Sequence, residues 1–166
     1  MSEIKNREIL SLRGDRQIIQ TYVFDAPREL VFKAYTDPQM ITEWWGPRNL
    51  TTIVEELDLR PGGAWRFIHR DQDGNEYAFR GEFLEIDPPN RLVQTFEWEG
   101  MPGHISTDDA VFEDLGGQTR VTSTSTFASQ EDRDGMLESG MEDGLMDSLL
   151  RLDELFEREK AKAATR

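Results

Sequence analysis

The chain contains no cysteine, which excludes disulfides, thiolate nucleophiles and thiolate metal sites. Histidine occurs only at His69 and His104, and two imidazoles without cysteine do not make a zinc site. Long hydrophobic runs are missing: nothing approaches the roughly 20 apolar residues of a membrane helix. The opening stretch MSEIKNREILSLRGDR mixes both charge signs and lacks the apolar centre of a secretory signal, so a cytoplasmic location is expected. Positive charge is scarce, with 19 Lys and Arg against 33 Asp and Glu and a net charge of −14. No basic cluster forms a phosphate-neutralising face, which argues against nucleic acid and anionic membrane surfaces as partners. A charge of this size serves solubility.

Chemical motifs are thin as well. RPGG (60–63) and LGG (115–117) lack the spacing and following helix of a phosphate loop. Neither a Ser-His-Asp order nor a nucleophile elbow is visible, so no catalytic set is assigned. DQDGNEYAFRGE offers Asp71, Asp73, Asn75 and Glu82 in calcium-loop order, but the position that requires glycine is Glu76. The stretch reads instead as a hairpin with a DG-type turn. No metal and no cofactor are expected.

What the chain does have is rings: nine Phe, four Trp and three Tyr among 166 residues. They give one domain of this length enough apolar surface for a core despite a hydrophobic fraction of only 37%. The core is expected over 15–160, with 1–14 and 161–166 flexible. RQIIQTYVF (16–24) reads as a strand. In DAPRELVFKAYTDP, Asp25 is the expected cap and Leu30, Val31, Ala34 and Tyr35 form a helical stripe. Asp37-Pro38 stops that helix and starts a short second one carrying Met40, Ile41, Trp44 and Trp45, ended by Gly46-Pro47.

From residue 50 the period changes to two. Strands are expected over 50–59, 64–70, 76–86, 91–98, 104–114 and 119–127, joined by hairpin turns. Residues 130–160 read as one long helix with a stripe of Leu137, Met141, Leu145, Leu149, Leu152 and Phe156. Consecutive hairpins demand an antiparallel sheet, and the long helix must bury its stripe on the sheet's concave face. The fold class is therefore α+β: a curved sheet of six to seven strands gripping a C-terminal helix, with two short helices after the first strand.

The segments FDAPRELVFKAYTDP, EWWGP, LRPGGAW, RGEFLEIDPPNRLVQTFEW and ESGMEDGLMDSLLRLDELF, in that order, resemble the START-like, polyketide-cyclase-like (SRPBCC) superfamily. Within it the chain is similar to bacterial homologues of the heat-shock-protein-90 ATPase activator. The resemblance covers about 16–157 and implies the helix-grip fold with a cavity between sheet and helix. It implies a hydrophobic small-molecule ligand, or a chaperone partner and a role in the stress response. The eukaryotic activator's additional N-terminal domain is not expected here, and no catalytic residues carry over.

Several residues then become candidates. Trp44 and Trp45, about 100° apart on a helix, cannot face one partner; one is expected in the core and Trp45 at the cavity mouth. Inward positions on consecutive strands are Trp65, Phe67, His69, Tyr77, Phe79, Phe83, Gln94, Phe96 and Trp98. Of these His69, Tyr77 and Gln94 are the polar anchors of an otherwise apolar pocket. Gly140 and Gly144 each cost a helix interior about 1 kcal/mol relative to Ala. Either close helix–sheet contact or space for a ligand, with adaptable Met136 and Met141 beside it, offsets that. Asp108 and Asp109 lie on opposite faces of one strand, which could put one carboxylate inward, but an exposed pair is expected.

Three readings stay open: binding of a small hydrophobic or amphipathic molecule, a chaperone-activator interaction, and a cyclase or hydrolase using His69 or Tyr77. The leaning is against an enzyme. Monomer and homodimer are both compatible with the sequence.

Overall fold

A computed structural model describes residues 10–164. Its eight strands are β1 (Leu10–Arg13), β2 (Gln17–Phe24), β3 (Thr51–Leu57), β4 (Ala64–Arg70), β5 (Glu76–Asp87), β6 (Arg91–Trp98), β7 (Ser106–Asp114) and β8 (Thr119–Thr126). They form one antiparallel sheet in the order β1-β2-β8-β7-β6-β5-β4-β3. Four helices accompany it: α1 (Arg28–Thr36), α2 (Pro38–Trp44), α3 (Gln130–Glu138) and α4 (Met141–Ala164). This is the helix-grip fold, with more strands than the six to seven expected. The addition is β1, whose four residues are too few to show a period and which gains its shape by pairing from Leu10↔Gln20 to Arg13↔Gln17. Residues 10–13 and 161–164 thus belong to regular elements, and 1–9 and 165–166 lie outside the described residues.

The sheet is bent by its own register. Pairing shifts between Val54 and Glu56 in β3 and between Phe83 and Glu85 in β5, and an extra residue on one strand increases local twist and curvature. Alternation then puts Ala110 and Phe112 of β7 and Val121 of β8 on the buried concave face.

Local chemistry sets the helix ends. Asp37 caps α2, accepting from the Gln39 and Met40 amides at 2.9 and 3.1 Å, with Pro38 in the first turn. At α1 the expected cap is corrected: the N-cap position is Pro27, and Asp25 instead meets Lys160 of α4 at 3.1 Å. Ser129 caps α3 by accepting from the Asp132 amide at 3.1 Å.

The single long helix expected over 130–160 is two helices. Gly140 adopts a left-handed φ of 84°, which L side chains avoid, so α3 ends before it and α4 starts after it. Gly140 is thus a helix terminator, and the helix-interior cost expected of it does not arise.

α4 closes one end of the bent sheet. Leu149, Leu152, Leu155 and Phe156 are at most 1% exposed. Phe156 meets Phe24 of β2 edge-on at 5.3 Å, and Phe112 of β7 receives Phe32 and Tyr35 of α1 at 5.2 Å each. Deeper under β4 and β5, Trp65 lies beneath Gly81, where an added Cβ would collide with the Thr95 carbonyl oxygen and the Trp65 indole. Gly81→Ala is therefore expected to lower the unfolding free energy by about 1–3 kcal/mol, the usual cost of overpacking. Urea denaturation checks this, and an unchanged midpoint contradicts the packing described.

Candidate functional site

The segment after α2 fixes how α4 sits. The Gly46 amide donates to Ser148 Oγ at 3.0 Å, and Arg151 donates to the Gly46 carbonyl at 2.9 Å. The Arg48 amide donates to Asp147 at 2.7 Å, while its guanidinium forks onto both Glu154 oxygens at 3.0 and 2.7 Å. Gly46 itself has a φ of 93°, and a Cβ there would strike the His69 ring. The Gly-Pro step thus serves close approach as well as helix termination.

Between the sheet and α4 lies a cavity of about 530 Å3. One wall is aromatic. Trp45 stands at its centre, with ring centroids 5.1 Å from Phe67, 4.8 Å from His69 and 5.4 Å from Phe79; Phe79 stacks on Phe96 at 5.6 Å. A strip of polar side chains crosses four adjacent strands, beside Tyr22, Leu92 and Ala110: Gln20 on β2, Ser123 and Ser125 on β8, Asp108 on β7 and Gln94 on β6. Register aligns them, with Gln20 opposite Ser123 and Asp108 between Gln94 and Ser125. The helical side includes Met136, Gly140, Met141, Gly144, Leu145 and Ser148.

Of the candidates named from the sequence, Trp45, Phe67, His69, Phe79, Gln94, Phe96, Met136, Gly140, Met141 and Gly144 border this cavity, and Trp65 and Tyr77 do not. Trp65 is 1% exposed and packs behind the wall, 4.7 Å from Phe67, with its indole nitrogen unpartnered among the described residues. Tyr77 shares the register of His69 but stands near the β4–β5 hairpin tip, 39% exposed, and its hydroxyl donates to Asp71 at 3.3 Å. Phe83 borders the cavity as expected, whereas Trp98, at the end of β6, is 38% exposed. Both Trp44 and Trp45 border it. The helical angle between them does not apply, because α2 ends at Trp44 and Trp45 has extended backbone. Trp44 is also core, its indole donating to the Ala34 carbonyl at 2.8 Å. The DQDGN loop uses Asp71 internally, accepting from the Asp73 and Asn75 amides at 2.9 Å each.

The residue that sequence reading misplaced is Asp108. It is not an exposed neighbour of Asp109: Asp109 pairs with Arg91 at 2.7 Å, while Asp108 faces the cavity and accepts from Ser125 Oγ at 2.7 Å. Burial pushes its carboxyl up to about 6, against the opposing hydrogen bond from Ser125. His69 is shifted the other way, down to about 4, chiefly by burial and further by the Arg151 charge, with a hydrogen bond to the Trp45 carbonyl opposing. The cavity therefore holds a neutral imidazole at neutral pH. His69 and Tyr77, the residues of the enzymatic reading, do not converge.

These two groups pull stability in opposite directions. Between pH 4 and 6 folded Asp108 holds a proton that the unfolded chain, with an ordinary value of 3.8, has released, so its contribution falls as pH rises. Folded His69 lacks a proton that the unfolded chain, at 6.5, still binds, so its contribution rises with pH from about 4 to 6.5. Asp108→Asn removes the first effect. It is expected to raise the unfolding free energy at pH 7.5 by about 1–2 kcal/mol, allowing for water in the cavity. Stability of the variant should then fall more steeply than the parent's as pH drops from 6.5 to 4.5. Denaturant midpoints measured across that range check both statements, and identical pH profiles contradict them.

A curated relative, the uncharacterized protein C1711.08 of Schizosaccharomyces pombe, is 28% identical over 105 residues, which are 63% of this chain and 27% of that protein. The solution structure of a protein from Arthrobacter aurescens superposes with a TM-score of 0.83 at 24% identity, covering 91% of this chain and 92% of that one. Protein Ms6760 from Mycobacterium smegmatis gives 0.80 at 27% identity, covering 90% and 96%. No helix among the described residues is long and apolar enough to cross a membrane. With the family described as Activator of Hsp90 ATPase homolog 1-like protein matching residues 25–157 on a helix-grip scaffold of the START-like superfamily, the chain belongs to that family.

Proposed function

We propose that this protein binds a small hydrophobic or amphipathic molecule in the cavity between the sheet and α4. The supporting observation is the cavity itself: about 530 Å3, ringed by aromatic and aliphatic side chains, with a few polar groups on one side. Pockets for small ligands have that size and that composition. Gly144 adds to the case, since it borders the cavity and an added Cβ would meet nothing within 4 Å. The missing side chain is volume that nothing else fills. Met136 and Met141 beside it are adaptable enough to follow different ligand shapes.

The family description favours a second reading, contact with the Hsp90 chaperone. Stimulation of a chaperone's ATPase by the purified protein would support it, and that assay is independent of the cavity.

The ligand reading is tested with the uncharged probe N-phenyl-1-naphthylamine, whose fluorescence rises in an apolar site and which should quench Trp45. Gly144→Leu puts bulk into the cavity at a position where a Cβ meets nothing within 4 Å, and replaces a helical glycine, so it should hold or raise stability by about 0.5–1 kcal/mol. Probe affinity is expected to drop at least about tenfold, the loss of roughly 1.4 kcal/mol of contact. Binding that survives Gly144→Leu unchanged in a folded variant contradicts the reading.

A further inference from the structure

We infer that the cavity selects an organic amine: a flat apolar body lies on the aromatic wall and a cationic ammonium group meets the Asp108 carboxylate. This rests on the ligand-binding reading above and names the chemical class of the ligand.

Three observations carry it. Asp108 is the only carboxylate bordering the cavity, and no Arg or Lys borders it among the described residues. Its carboxylate receives one hydrogen bond from those residues, that of Ser125. A carboxylate enclosed by protein with no cationic partner is unfavourable, and removing that cost is a direct gain for a cationic ligand. An ammonium group makes charge-assisted hydrogen bonds in surroundings where water screens them less.

The neighbouring groups suit the same ligand. Gln94 lies opposite Asp108 in register and supplies a further acceptor, and Gln20 and Ser123 continue the polar strip. From Asp108 on β7 the register runs through Gln94 on β6 to Phe83 on β5. Two strand spacings of about 4.8 Å give a span of roughly 10 Å, the length of a two-ring body with a short amine arm. The net charge of −14 adds a long-range field that concentrates cations and repels anions. An anionic ligand of the same shape, a fatty acid or an aryl carboxylate, would bring its charge against Asp108.

The titratable groups bordering the cavity are Asp108 on β7, His69 on β4, Tyr22 on β2 and Tyr35 on α1. The two phenols share a hydrogen bond of 3.1 Å, and β6, β8 and α4 present only neutral groups to the space. His69 stays neutral above about pH 5, so Asp108 is the group that changes charge between pH 5 and 7.

A matched series tests this: 2-(1-naphthyl)ethylamine, 2-(1-naphthyl)ethanol and 1-naphthaleneacetate, each titrated against bound N-phenyl-1-naphthylamine at pH 7.5. The amine is expected to displace the probe at a concentration about tenfold or more below the alcohol, and the carboxylate to be the weakest. Asp108→Asn, whose fold is checked by its melting temperature, should collapse the amine-to-alcohol ratio toward one. Lowering the pH of the parent protein from 7 to 5 should collapse it too. A ratio that survives Asp108→Asn, or a carboxylate that binds best, overturns the amine assignment while probe binding leaves the cavity reading standing. Failure of the probe itself to bind overturns both.

Discussion

The fold depends on α4 being held against the sheet at one end and away from it at the other. Leu152, Leu155 and Phe156 seal the far end into the core against Phe24. In the middle of α4, the segment from Trp45 to Arg48 is fastened to Ser148, Asp147, Arg151 and Glu154 by hydrogen bonds and a forked ion pair. The start of the helix, at Met141, Gly144 and Leu145, borders the cavity instead. The bends in β3 and β5 complete the hollow. A side chain at Gly46 would push into His69 and loosen this contact where the aromatic wall begins.

Around the hollow, rings from α2, β4, β5 and β6 gather about Trp45, and a strip of polar side chains crosses β2, β8, β7 and β6 beside Tyr22, Leu92 and Ala110. Serines at 123 and 125 leave room that valine or leucine would have taken. Asp108 is enclosed at a cost to the empty protein, and His69 is kept neutral by the same enclosure. A stable core has no need of either arrangement. A binding site does, because the group that destabilises the empty state gains most when a partner arrives.

Much of this was legible in the sequence. Hairpin turns at 60–63, 71–75 and 87–90 gave the antiparallel order, and the period of two placed Phe67, His69, Phe79 and Phe96 on the inner face. Other parts depend on tertiary context. Gly140 was read as a glycine inside a helix, although Ser139-Gly140 is also a helix-ending signal; the left-handed φ decides between them. Tyr77 follows the right alternation yet lies near a hairpin tip, and alternation alone carries no depth. Asp108 is in phase with Ala110 and Phe112, and Ser125 with Val121, so the phase could have turned the carboxylate inward. The general exclusion of charge from interiors favours the exposed reading instead.

The central claim is that the interior between the sheet and α4 is empty enough to admit a guest. A crystal of the protein under xenon pressure tests it most directly, because xenon enters apolar voids without needing a chemical match. The account predicts xenon density bordered by Phe79, Phe96, Leu145 and Leu149. Those side chains closed against one another, with no xenon between them, would contradict it.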